Sequence, residues 1–190
     1  AFMDALTAIR TRRSLPRLGL PVPTPEQLAI AFDDAACAPD HRVIRPWRYL
    51  VIEGDGLAQL GEVFVAAIAK TDPARAEVEA ERFRQLPLRA PMIIVAILSL
   101  QDHPGVPEWE QWLSLGASVQ NLLLALHAQG MAAIWRTGEM ATEKHVCAEL
   151  GLAPHEHIGG LVYVGSALAD KAAPALPEKL WAQWPAKQQG

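Results

Sequence analysis

The stretch from Pro107 to Gln129 limits the possible folds more than any other. It is the longest helical pattern in the chain, about 23 residues, which at 1.5 Å per residue makes a rod of about 34 Å. From Leu113 to Ala128 it is apolar almost all round, so it cannot lie on a surface. Ser114, Ser118, Gln120, Asn121 and His127 interrupt it too often for a membrane span. Leu115, Val119, Leu122 and Leu126 share one stripe, while Ser114, Ala117, Asn121, Ala125 and Ala128 form a second stripe of small or short side chains. The large stripe suits a sheet, and the small one suits close approach of another helix. No other helical pattern offers itself as that partner. A two-fold copy of the chain and the core of a monomer therefore both remain open.

The sheet that such a helix needs is legible around it. Met92 to Leu98 is an unbroken apolar run after Ala90-Pro91, the pattern of a strand buried on both faces. Tyr49 to Ile52 is a second strand, stopped by Gly54-Asp55-Gly56. Met131 to Trp135 is a third and Ile158 to Gly165 a fourth. Helices are expected over 3–12, from a Thr24 N-cap with Pro25 and Gln27 to about Ala36, over Gly56–Ala69, over the polar segment Asp72–Leu86, and from Thr142 to Leu150. Strands mixed with helices in this way give an α+β, α/β-type sandwich with helices on both faces of one sheet. Residues 167–190 are rich in Ala and Pro with Trp181 and Trp184 as anchors, and read as an arm that docks on its own domain or on a partner. The chain of 190 residues is expected to form a single domain, 1–190, that buries about 70% of its unfolded surface.

Net charge is −4, unevenly spread: residues 1–50 carry +2 and the remainder −6. An acidic protein without a broad basic face is a poor nucleic-acid binder, whereas a local arginine cluster suits a small anionic ligand. Cys37 and Cys147 stand in no metal or redox spacing and are expected to be small buried hydrophobes in a reducing, cytoplasmic setting. No signal peptide or membrane segment is expected. Neither Gly-x-Gly-x-x-Gly nor a P-loop nor a Gly-x-Ser-x-Gly elbow occurs. His155-Glu156-His157 lacks a third ligand at a metal spacing, so no metal site is expected.

Three segments carry the remaining chemistry. Arg12-Arg13-Ser14, with Arg17, places guanidinium and hydroxyl donors at a helix end, as a phosphate requires. Asp40-His41 with Arg45 lies between Pro39 and Pro46, at the entrance to the first strand. Trp135-Arg136-Thr137-Gly138 sits where a strand ends, a usual place for ligand contacts in sheets backed by helices.

In this order the three segments resemble the FMN-dependent nitroreductase family over almost the whole chain. The family has Arg-Arg-Ser or Arg-x-Ser after its first helix, and Pro-Ser-x-x-Asn-x-Gln-Pro-Trp running into a strand. Pro39 stands seven residues before Pro46-Trp47 here, and short members tend to carry Asp-His as in Asp40-His41. The long helix ending Gln129-Gly130, then Trp135-Arg136-Thr137-Gly138, completes the likeness. The resemblance implies a central, mainly antiparallel sheet of four to five strands in a homodimer, with FMN at the subunit interface. NAD(P)H would be the electron donor and a nitroaromatic, quinone or similar small molecule the acceptor, in ping-pong turnover. Carried across, Arg12, Arg13 and Ser14 would hold the FMN phosphate and ribityl chain. Pro39, Asp40 and His41 would reach the partner's flavin, and Trp135, Arg136 and Thr137 would line the ring. Lys171 aligns loosely as a further phosphate contact, and no side chain is implied as a catalytic acid or nucleophile. Alternatives from the same resemblance are a flavin reductase, a reductive dehalogenase, or a flavin-binding module without turnover. Val43 and Arg45 replace the family's Asn and Gln, and the cation at Arg45 is expected to favour an anionic reduced flavin or an acidic substrate. Cys37 stands where short members carry arginine.

Overall fold

The computed structural model describes residues 3–185. Its centre is β3 (Met92–Ser99), whose apolar run is buried from Met92 to Leu98. It pairs antiparallel on one side with β2 (Trp47–Glu53) and on the other with β5 (Glu156–Ala167). β5 also takes β4 (Ala132–Arg136) and the two-residue β1 (Leu18–Gly19), both antiparallel. The sheet thus has five strands. β1 is too short to show as a sequence pattern, and β5 extends beyond both ends of the expected Ile158–Gly165 because β1 and β3 pair with its flanks. Among the described residues the one parallel contact is a bridge from Ser14 to Ala133 on β4.

Strand alternation sends side chains to two faces, and each face has its own helical cover. On one side Ile93, Val95 and Ile97 pack with Leu57, Leu60 and Phe64 of α3 (Asp55–Thr71) and Phe83 of α4 (Pro73–Gln85). On the other, Met92, Ile94, Ala96 and Leu98 pack with Leu115, Val119, Leu122 and Leu126 of α5 (Glu108–Ala128). The large stripe of the long helix therefore faces the sheet as its spacing predicts.

The small stripe meets a helix of the same chain. α2 (Pro25–Ala36), opened by the Thr24–Gln27 capping box, lays Ala31 and Ala35 with no exposed surface against α5. Asn121 Nδ2 donates to Asp34 O across that contact at 3.1 Å. The sequence does not announce this partner, because small residues such as alanine give a weak periodic signal. Even so, α5 is not enclosed: Trp109 and Leu113 are 62% and 65% exposed. The first helix, α1 (Ala5–Thr11), likewise leaves Leu6 and Ile9 in solvent.

Two smaller expectations need correction. α6 spans Lys144–Glu149 with Glu143 as its cap, while Thr142 instead closes a 3-10 turn by donating its hydroxyl to Glu139 O at 3.2 Å. Cys37 is not a buried hydrophobe: it caps the C-terminus of α2 and is exposed, whereas Cys147 is partly buried, and both are free thiols. Among the described residues the arm does not dock on its own chain beyond its first few positions. Leu168 N donates to Arg17 O and Lys171 Nζ to Ser14 O. From Asp170 to Pro185 every residue is exposed, Trp181 at 78% and Trp184 at 92%. The last stretch of the expected arm, 186–190, lies outside the described residues.

Candidate functional site

α1 stops at Thr11, and the chain turns so that Arg12 and Arg13 enter a cavity of about 400 Å³ at the C-terminal end of α5. Its walls also include Leu123, His127, Ala132, Ala133, Asp170 and Lys171. None of Arg12, Arg13 and Lys171 is ion-paired among the described residues. Three cations around one small-molecule-sized cavity are chemically suited to an anion. Their present bonds divide the work. Arg13 donates to Arg10 O at 2.7 Å and Arg12 O at 2.9 Å, closing the carbonyl end of α1. Arg12 makes only a long contact of 3.5 Å to Ser14 Oγ, leaving its donors available.

Ser14 fixes this end to the sheet. Leu15 N donates to Ala133 O at 3.1 Å, beside the Ser14–Ala133 bridge. Past that bridge no strand pairs with the outer edge of β4 among the described residues. Trp135 shares its strand face with Ala133, the α5 side, and Arg136 takes the opposite face. The indole lies over Gly160 and donates Nε1–H to Gly159 O at 3.1 Å. The Arg136 guanidinium stands 5.7 Å from the Tyr163 ring centroid, and its buried Nε has no partner among the described residues. One ligand can meet both residues only across the strand edge. Thr137 is exposed just beyond.

The Pro39–Asp40–His41 segment lies elsewhere. Asp40 accepts the Arg45 N–H at 2.5 Å through Oδ2, while its buried Oδ1 has no partner among the described residues. His41 Nδ1 lies 2.5 Å from Glu110 Oε2, which pins the turn to the first part of α5. Gln101 Nε2 adds a bond of 2.8 Å to Ile44 O. These ties hold Arg42, Val43 and Arg45 at φ of 64°, 54° and 44°. A left-handed conformation costs a β-branched residue such as Val43 about 1–3 kcal/mol, and such strain collects at ligand sites. The Arg45 side chain is exposed. A groove bounded by Pro39, Asp40, His41, Glu110, Leu113 and Ala117 opens alongside.

The Arg12–Ser14 and Pro39–His41 groups thus lie at opposite ends of α5, while Trp135, bonded to Gly159 beside Leu115, stands along the helix and lines neither cavity. Glu110, beside His41, and His127, beside Arg12, are 17 residues apart on the helix, about 25 Å along its axis. Sequence reasoning did not single out Glu110 or His127, which show there only as helix polarity. Lys171, aligned loosely, does line the Arg12 cavity.

Titration shifts mark where charge is buried. Burial lowers the His127 imidazole, helped by Arg12 and Arg13 nearby. Burial pushes the Tyr49 phenol up to about 12, its hydroxyl bonded to Ser118 Oγ at 2.6 Å. The bond from Arg48 holds the Glu156 carboxyl down at about 2. Among the described residues no group of metal-ligating side chains is present, and no helix is long and apolar enough to cross a membrane.

An antiparallel sheet backed by a long helix, with a cavity lined by Arg12, Arg13 and Lys171 at the helix end, defines an α+β sandwich. The chain belongs to the nitroreductase family, whose family model matches residues 9–166. It is 36% identical over 165 residues to YdjA of Escherichia coli (strain K12), which carries the provisional name NAD(P)H nitroreductase; the match covers 86% of this chain and 88% of that one. The fold is shared with the FMN- and NADPH-dependent nitroreductase NfnB from Sphigopyxis sp. strain HMH, at TM-score 0.75 and 18% identity over 96% of this chain and 100% of that one. It is also shared with a nitroreductase with bound FMN from Desulfitobacterium hafniense DCB-2, at TM-score 0.67 and 22% identity over 95% and 100% of the two chains.

Proposed function

We propose that this chain is an FMN-dependent oxidoreductase of the cytoplasm that works as a homodimer, taking reducing equivalents from NAD(P)H and delivering them to a nitroaromatic, quinone or similar electron-poor small molecule. The observation that carries the reading is the cavity where Arg12, Arg13 and Lys171 converge without carboxylate partners. A phosphate ester matches that donor set in charge and in hydrogen bonding. FMN, when bound, supplies the redox chemistry. The protein's part is to hold and orient it. Arg12 and Lys171 grip the phosphate, and Arg13 adds charge while it closes α1. Ser14 ties the cavity to β4, and the open edge beyond Ala133 accepts a planar ring against Trp135. The unpartnered Arg136 Nε is a donor awaiting an acceptor.

The homodimer is supported by the separation of the two groups. Asp40 and His41 lie about 25 Å along α5 from the Arg12 cavity, so within one chain they border different spaces. A two-fold copy packed with its long helix antiparallel would exchange those ends, bringing His41 of the partner subunit to this chain's cavity. The exposed Leu6, Ile9, Trp109 and Leu113, together with the bare arm carrying Trp181 and Trp184, supply apolar surface for such a copy to cover. The single domain then ends in an arm that reaches across rather than folding back.

The test begins with the visible spectrum after incubation with excess FMN and gel filtration. Bound flavin that bleaches on anaerobic addition of NADH or NADPH is expected. A protein that stays colourless sinks the reading, and a coloured one that never bleaches leaves only a flavin binder. Arg12→Ala should weaken FMN by about 10- to 100-fold, since a charge-assisted bond contributes about 1.5–3 kcal/mol, while the urea midpoint stays put.

A further inference from the structure

We propose that His127 is a further ligand of the phosphate subsite and that it captures a phosphate ester by taking up a proton at Nδ1. The inference rests on the assignment of the Arg12 cavity to the FMN phosphate. His127 lies in the last turn of α5, half-buried, on the cavity wall with Arg12, Arg13 and Lys171.

Its tautomer follows from its neighbour. Nε2 stands 2.8 Å from Thr11 Oγ1, and that hydroxyl donates its own proton to Thr7 O at 2.6 Å. A hydroxyl has one proton to give, so Thr11 must accept from the ring, and Nε2 carries the hydrogen. The basic nitrogen of the neutral ring is then Nδ1, which has no hydrogen-bond partner among the described residues.

Two forces act on that nitrogen. Burial, helped by the guanidinium groups of Arg12 and Arg13 just past α1, lowers the ring's affinity for a proton. Asp170, on the arm with Lys171, is the cavity's one carboxylate. The remaining elements against the cavity bring Leu123, Met131, Ala132 and Ala133, which do not titrate. The position at the C-terminal end of a helix favours the cation. A phosphate dianion entering the cavity tips this balance: a solvent proton goes onto Nδ1, and the imidazolium donates to a phosphate oxygen. The free protein binds fewer protons at this site than the complex does. Affinity for the phosphate ester therefore falls as pH rises above the free ring's depressed pKa. A cationic site lowers the phosphate's own second ionisation, near pH 6, so the ligand can only release protons. Net uptake must come from the protein.

Isothermal titration of the apoprotein with FMN at pH 7.0, in two buffers of different ionisation enthalpy, counts the protons. Wild type is expected to take up about 0.3 proton or more per FMN relative to His127→Gln, whose amide still donates to Thr11. Riboflavin, which lacks the phosphate, should show no such difference. In parallel, flavin fluorescence gives the FMN Kd at pH 6, 7 and 8. The wild-type advantage over His127→Gln should be about ten-fold at pH 6 and shrink to about two-fold at pH 8. Should the variant fail to fold, the wild type alone decides: net proton uptake with FMN but not with riboflavin supports the role of His127. An advantage that does not change with pH, or uptake that is equal with riboflavin, overturns that role and leaves the cavity assignment standing. FMN that binds at no pH overturns both.

Discussion

Gly160 sits directly beneath the Trp135 indole, and replacing it with alanine tests how that wall of the site is built. A Cβ placed there would lie 1.9 Å from Trp135 Nε1 and 2.4 Å from its Cδ1, against a practical limit of 3.0 Å. The indole must therefore retreat by about 1 Å or more, and since it is already 38% exposed it has room to swing outward. Two contributions are lost. The Nε1 bond to Gly159 O is worth about 0.5–1.5 kcal/mol. Lifting the ring uncovers about 40–50 Å² of a side chain that commonly buries 150–250 Å², or about 1 kcal/mol at 25 cal/mol per Å². Gly160→Ala should then cost about 2 kcal/mol and, in a chain of this size, about 4–8 °C in Tm. The assay is thermal unfolding followed by circular dichroism, run for Gly160→Ala, Trp135→Ala and the double variant. Once the indole is gone the closest remaining of these neighbours of the added methyl is Arg136 O at 3.2 Å, so the second substitution should cost much less in that background. FMN retention should fall in Gly160→Ala as well. Equal costs of Gly160→Ala with and without Trp135 would refute the packing argument.

Other expectations follow from the same geometry. Glu156, held at about 2 by Arg48, has a folded pKa below its ordinary 4.5. Its contribution is present above pH 4.5 and is lost as pH falls from there toward 2. The gap in urea midpoint between wild type and Glu156→Gln should accordingly be widest at pH 6–7 and narrow by pH 3; a constant gap would rule out this ion pair as its source. Gly61 of α3 would place a Cβ 2.5 Å from Arg84 O, a backbone atom of α4 that cannot swing aside. Gly61→Ala should cost about 1–3 kcal/mol, read by urea unfolding, and a neutral result would mean the α3–α4 contact is looser than it stands here.

Much of this protein is written locally. Thr24, Pro25 and Gln27 specify a helix start because a capping box needs only neighbouring residues. Met92 to Leu98 specify a central strand, since a run with no polar side can be stable only when covered on both faces. Arg12-Arg13-Ser14 and Trp135-Arg136-Thr137 are legible as ligand-facing because donors and an aromatic stand where elements end. Their order along the chain was enough to point to the family.

What the folded chain decided depends on residues far apart in sequence. α2 covers the small stripe of α5 through alanines, whose packing no periodicity announces. Arg13 is drawn partly into closing α1, so Arg12 keeps more free donors of two arginines identical on paper. His127 joins the cavity only because α1 lays Thr11 beside the end of α5, a contact spanning 116 positions. Asp40 and His41 are expected to reach a partner's flavin, and within one chain the length of α5 holds them far from Arg12. Spacing along a chain fixes local conformation, but the distance between two sites is fixed by the rigid element that joins them. Here that element is the long helix.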